Sequence, residues 1–189
     1  NETGFAIMNT AAYNNNIGDT TGASGRDGVV MKLALMVCSS LEDFEVFLDT
    51  LTKPRGVNSN YGVIDAKGGA AYYETGNFKY VKVDANDVLA APNGIIVRTN
   101  HSMSADLSKG FGFNRFANAS RILNEAAQNK TLSPEFLMNA VSRSLYHPRV
   151  GTDLSLNIPK NKDKAKYEFF TDYIPRISTS STMMMVSAR

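Results

Sequence analysis

The hydrophobic period changes to two at Asn58, and this change constrains the fold more than any other feature of the chain. Residues 60–65, 70–75 and 78–84 read as strands, interrupted by Lys67-Gly68-Gly69 and Gly76-Asn77. Short strands joined by tight glycine turns pair as an antiparallel meander, because a parallel crossover needs a dozen or more residues. Asp65, in Val63-Ile64-Asp65-Ala66-Lys67-Gly68, is a hairpin-turn residue on this reading. A further strand is expected at 95–99. The β-branched run Ile95-Ile96-Val97 stands between Pro92-Asn93-Gly94 and the polar triplet Arg98-Thr99-Asn100, so a strand buried on both faces would deliver a charge, a hydroxyl and a carboxamide to one tip.

Before the meander, Asn1-Glu2-Thr3-Gly4 reads as a turn feeding the strand Phe5-Ala6-Ile7-Met8. A core strand fed directly by a turn gives the expectation that more chain precedes Asn1. Residues 11–27 are polar and glycine-rich, a loop long enough to suggest function. The apolar run Val29–Val37 predicts a buried helix. Ser39-x-x-Glu42 is a capping-box pattern for the next helix, which Pro54 and Gly56 terminate. After the strand at 95–99, a polar loop covers 100–112 and a helix covers 113–128. A second helix is expected at 132–146, with Ser133 as N-cap, Pro134 at its first position and His147-Pro148 at its end. Residues 151–166 are irregular, and 174–188 read as a long strand ending in a methionine-rich half that packs rather than binds a soft metal. Strands alternating with paired helices suggest an antiparallel sheet system with helices segregated outside, within one domain spanning 1–189.

Charge and composition exclude several functions. The formal net charge of +2 is small and its basic residues are scattered, which argues against a nucleic-acid surface. The dense run Lys160–Lys166 is a solvated loop. No apolar run approaches the roughly 20 residues of a spanning helix. The single cysteine, Cys38, lies in apolar surroundings and cannot form an internal disulfide; it reads as a small buried hydrophobe. His101 and His147, the only histidines, have no partner at metal or triad spacing and are assigned to loops, so no metal and no cofactor are expected. The patterns Asn100-His-Ser102, Asn118-Ala-Ser120 and Asn129-Lys-Thr131 match the glycosylation rule and are read as chance matches. From the residues alone, Asn100 caps a loop after a strand, and Arg115 is a helix-terminus arginine in a surface ion pair.

Four motifs then resemble a known group in order and spacing. Asn1-Glu-x-Gly4-Phe-Ala-Ile7, Asn60-Tyr-Gly-Val-Ile-Asp65-Ala-x-Gly68-Gly-Ala, Val97-Arg-Thr-Asn100 and Asn114-Arg115-Phe116 resemble the N-terminal-nucleophile hydrolases. Within them the likeness is to cholylglycine hydrolases, penicillin V acylases and acyl-coenzyme A:isopenicillin N acyltransferase-like proteins, over nearly the whole chain. The resemblance implies an α+β fold, a four-layer αββα sandwich of two antiparallel sheets, incomplete here at the N-terminus and at the C-terminus. It also implies a nucleophilic cysteine exposed by autoprocessing, which would lie several tens of residues before Asn1; Cys38 does not match its motif. By the same resemblance, Asn100 donates to the oxyanion and Arg115 lies close to the nucleophile. A third family asparagine falls at Ala11 by straight counting and at Asn9 only with a two-residue shift.

The expected function is hydrolysis of a linear amide C–N bond in an N-acyl amide or amino-acid conjugate. An N-terminal cysteine thiolate would attack, with its own α-amine as base. Two alternatives stay open: a catalytically silent acyl-ligand-binding module of the same fold, and an acyl-CoA-dependent N-acyltransferase. A small-molecule amide is the expected partner. A companion chain carrying the nucleophile, a homo-oligomer, and the compartment are left open.

Overall fold

The computed structural model describes residues 1–12, 14, 15, 25–149, 151–153 and 174. The expected strand at 174–188, the irregular stretch 151–166 with its lysine run, and most of the loop 11–27 lie outside the described residues. Asn1–Phe111 form one compact unit; the described residues from Gly112 onward form a second.

The first unit is built on a four-stranded antiparallel sheet of β1 (Ala6–Ala11), β2 (Ser59–Ile64), β3 (Ala70–Thr75) and β4 (Tyr80–Asp84), in the order β1-β2-β3-β4. The meander is as expected, and β1 joins its open edge with Ala6 opposite Ile64. The helices α1 (Asp27–Val37) and α2 (Leu41–Thr50) connect β1 to β2. Side chains alternate across a strand, so each face of the sheet carries its own set. Phe5, Ile7, Tyr61, Val63, Ala71 and Tyr73 pack with Val30, Ala34, Leu41, Phe44 and Leu48 from the helices. Phe44 stands at the centre, with ring centroids 5.0 Å from Tyr73, 6.0 Å from Phe5 and 6.0 Å from Tyr61. These separations are in the range where aromatic pairs attract beyond simple area burial.

α1 differs from the expectation of a buried helix. Only Val30 and Ala34 are buried, while Met36 and Val37 are 70% and 65% exposed. One sheet face accepts one stripe of a helix, so Val30 and Ala34, four apart, are what the sheet covers. The cap of α2 is also shifted by one residue. Ser40, not Ser39, is the N-cap, and it accepts from Asp43 N at 3.2 Å. Asp43 reaches back to Ser39 N at 2.9 Å, one residue before the N-cap, so Asp43 and not Glu42 ties down the helix entry.

Two of the motifs quoted above prove to be fasteners between elements. Asn1 Oδ1 accepts from Phe5 N at 2.9 Å, and its Nδ2 donates to Cys38 O at 2.8 Å and Leu35 O at 3.0 Å, tying the β1 turn to the end of α1. Asp65 is buried and does more than shape its hairpin. Oδ1 accepts from Lys67 N and Gly69 N, each at 2.8 Å, and Oδ2 accepts from Leu41 N at 3.1 Å, at the start of α2. A negative charge at a helix N-terminus is doubly favourable, as hydrogen-bond acceptor and against the dipole. A Cβ on Gly69 would lie 2.5 Å from Asp65 Oδ2, so only glycine leaves the carboxylate room.

In the second unit α3 (Phe113–Gln128) has the expected bounds, entered through Gly112 at φ 80°. The helix expected at 132–146 is shorter. It starts as predicted, with Phe136 N on Ser133 Oγ at 3.0 Å, but comprises α4 (Pro134–Phe136) and a π-turn (Leu137–Val141). Tyr146–His147 is instead a short strand, β5, paired antiparallel with β6 (Thr152–Asp153), so His147 is not a loop residue. Asn118 is buried, and its Nδ2 donates to Ser144 Oγ at 2.9 Å and Tyr146 O at 3.0 Å. That committed amide leaves no place for a glycan on Asn118 in the folded state.

Asp65→Ala removes an acceptor shared by three backbone N–H groups and should destabilise the fold by about 3 kcal/mol. Denaturant titration checks this, and a loss below about 1 kcal/mol would show that solvent replaces the carboxylate without cost.

Candidate functional site

The helices cover one face of the sheet, and the segment 98–104 lies on the other. This segment corrects the expectation of a strand at 95–99. The β-branched run is only partly buried, and no described strand pairs with it. β-branching favours an extended backbone, but a ladder needs a neighbour. Thr99, His101 and Ser102 are buried, and the backbone of this segment must then find partners elsewhere, because unpaired buried amides are costly. Side chains of the sheet supply them.

Asn60 on β2 and Glu74 on β3 are register partners, both buried on this second face. Glu74 Oε1 accepts from Met103 N at 2.8 Å and Arg98 Nε at 3.2 Å, and Oε2 accepts from Ser104 N at 2.8 Å. Asn60 Nδ2 donates to His101 O at 3.1 Å. Its Oδ1 accepts from Ser102 Oγ at 2.7 Å and Asn15 Nδ2 at 2.8 Å. Asn14 pairs reciprocally with Ser102, accepting from its N–H and donating to its carbonyl, both at 2.9 Å. Arg98 also lies over the Tyr72 ring, 5.6 Å from its centroid. The Tyr72 hydroxyl is 2.5 Å from Thr10 Oγ1. Burial pushes its phenol up to about 12, against the opposing hydrogen bond from Thr10, so Tyr72 is a neutral group near pH 7.

Asn100 is carried in the middle of this anchored segment. Its carbonyl accepts from Phe111 N at 3.1 Å, and its Nδ2 donates to Ala11 O at 2.9 Å, at the end of β1. Asn100 therefore meets position 11, where straight counting of the motif falls. Asn9 sits elsewhere. It shares the helix-side parity of Phe5 and Ile7, and its Nδ2 donates to Ser59 Oγ at 3.1 Å. Arg115 belongs to the second unit, third in α3 and half-buried. A cation in the first turn of a helix opposes the dipole, so helix stability does not explain an arginine there.

Cys38 is buried as expected, and desolvation, reinforced by Asp43, raises its thiol from 9.0 to about 11. It is a poor nucleophile, since the thiolate is the reactive form. His101 is fully buried, with Nδ1 2.9 Å from Phe111 O and 3.2 Å from Thr99 Oγ1, inside the same anchored region. Among the described residues, no group of three or more His, Cys, Asp or Glu could hold a metal ion. No helix among them is long and apolar enough to cross a membrane.

Sequence reasoning missed Asn60 and Glu74 as functional-site residues. Asn60 stood in a quoted motif only as a spacing mark. Glu74 was readable as a lone carboxylate in the apolar strand Ala70–Thr75, a position where a charge must have partners.

The model of the acyl-coenzyme A:6-aminopenicillanic acid acyl-transferase family matches residues 1–147, and the chain belongs to that family. The family is enzymatic, and its chemistry is acyl transfer, in line with the resemblance to the cholylglycine hydrolase and penicillin acylase group. No curated protein and no solved structure matches the chain.

At pH 8 Cys38 should react with a thiol-alkylating reagent at least about 100-fold more slowly than a free cysteine, given the two-unit rise. Labelling at the free-cysteine rate would contradict its burial. The raised value also sets a pH dependence. The unfolded thiol ionises near pH 9.0 while the folded one holds its proton to about 11. This contribution to stability is therefore complete below pH 9.0 and is lost as pH rises towards 11.

Proposed function

We propose that the complete protein hydrolyses a linear amide, releasing an amine from an acyl group, through an N-terminal cysteine outside residues 1–189. Family membership supports acyl chemistry. The raised, buried thiol of Cys38 supports placing the nucleophile elsewhere. The reading takes the four-layer αββα sandwich as the complete fold, with the described sheet and α1–α2 as one sheet and one helix layer.

The observation that carries it is the fixed carboxamide of Asn100. One N–H goes to Ala11 O at 2.9 Å, which sets the plane of the amide. In the proposed reaction the thiolate attacks the acyl carbonyl carbon, and the carbonyl oxygen takes up negative charge. In this reading the Asn100 carboxamide donates to that oxygen. The C–N bond then breaks, the amine leaves with a proton delivered by the cysteine's own α-amine, and a thioester remains. Water, activated by the same amine, hydrolyses the thioester and restores the thiol. Arg115 is always protonated, so its proposed part is to favour the thiolate or hold a substrate carboxylate, not to move protons. Asn9 keeps its carboxamide on Ser59, and the donor role goes to Asn100.

The family's description favours one variant: the acyl group reaches the thiol from a coenzyme A thioester and is taken by an amine instead of water. The acyl-enzyme is common to both, and the acceptor alone distinguishes them.

Asn100→Ala in the complete protein should lower kcat about 100–1000-fold on an N-acyl amide that the wild type cleaves. Steady-state assay over a panel of such amides, with and without added amine acceptors, checks this. Unchanged turnover would remove Asn100 from the reaction.

A further inference from the structure

Glu74 stands on a sheet strand, touches none of the groups to which the reaction is assigned, and directs the three hydrogen bonds described for it to the segment that carries Asn100. Its side chain is 1% exposed. One oxygen takes Arg98, two residues before Asn100, and Met103, three after it; the other oxygen takes Ser104. A single buried carboxylate thus grips the tip on both sides of the asparagine. Asn60, its register partner on β2, holds the residues between, through His101 O and Ser102 Oγ. With no strand ladder on 95–99 among the described residues, these side chains set where the tip lies on the sheet. Charge-assisted bonds from a carboxylate to backbone N–H groups are short and directional, so the grip is stiff. Both anchors sit on rigid strands, which hold a group more closely than a loop does.

We propose that Glu74 is a positioning residue for the Asn100 carboxamide: the carboxylate sets the placement of the oxyanion donor without touching the substrate. This rests on the reading of Asn100 given above. Displacement of a reacting group by about 1 Å costs on the order of 100-fold in rate. The neutral isostere Glu74→Gln keeps the shape. It replaces one acceptor oxygen by an N–H₂ group and removes the charge that faces Arg98.

The test is a double-mutant cycle in the complete protein with Glu74→Gln, Asn100→Ala and the pair, measured on one N-acyl amide. Glu74→Gln should lower kcat about 10–100-fold with KM changed less than about threefold, and should cost little further in the Asn100→Ala background. That non-additivity is the mark of an effect exerted through Asn100, which general loss of structure would not give. Equal rate losses from Glu74→Gln with Asn100 present and absent would overturn the proposal, as would an unchanged kcat. If Asn100→Ala itself has full activity, the reading of Asn100 fails, a different outcome from the failure of Glu74. Should Glu74→Gln not fold, Glu74→Asp serves in the same cycle, because it keeps the charge but is one methylene too short to hold both sides of the tip. The same non-additivity is expected, and additive losses would again overturn the proposal.

Discussion

The pairing of Asn60 with Glu74 across β2 and β3 is the constraint on which the functional end of this chain depends. Two buried polar side chains, side by side on one sheet face, would be a cost if left alone. Here that cost is offset by a backbone segment with the opposite need. The segment 98–104 has amides and carbonyls to satisfy and no described neighbouring strand, and each side supplies what the other lacks. Met103 N, Ser104 N and His101 O are the points of exchange. The result is an irregular segment held with the precision of a ladder.

The two faces of the sheet are built by different physics. On the helix side Phe44 gathers Phe5, Tyr61 and Tyr73 into an aromatic core whose energy comes from area removed from water. On the other side hydrogen bonds are directional, so they fix position where burial fixes only proximity. Asp65 links the two kinds of order. It closes the β2–β3 hairpin and also caps α2, so the helix layer and the register of the strands are set together. The family motifs divide along the same line. Asn1 and Asp65 are architectural, whereas Asn100 belongs to the proposed chemistry.

Much of this was legible in the residues. Glycine turns and a period of two gave β2 to β4, and α3 keeps the bounds expected of it. Ser133 and Pro134 marked a helix start that the structure keeps, because caps are local and depend on few neighbours. The misses are non-local. Ile95–Val97 has the composition of a strand, but pairing is decided by what lies beside it. The stretch after Val141 loses its helix to the β5–β6 pairing. The shift of the α2 cap from Ser39 to Ser40 accompanies Asp65, whose carboxylate takes Leu41 N from outside the helix. At the site, Asn100 was found through resemblance. Its anchors were not, since nothing in the linear order of Asn60 and Glu74 says that they face one segment.

The central claim is that Asn100 presents its carboxamide to the oxygen that becomes charged during amide cleavage. The most direct measurement is a crystal structure of the complete protein with a peptide-aldehyde-type inhibitor trapped as a tetrahedral thiohemiacetal. The account predicts Asn100 Nδ2 at about 3 Å from the adduct oxygen, with the Glu74 contacts to Met103 and Ser104 intact. An adduct oxygen held by other donors, with Asn100 turned away from it, would contradict the account.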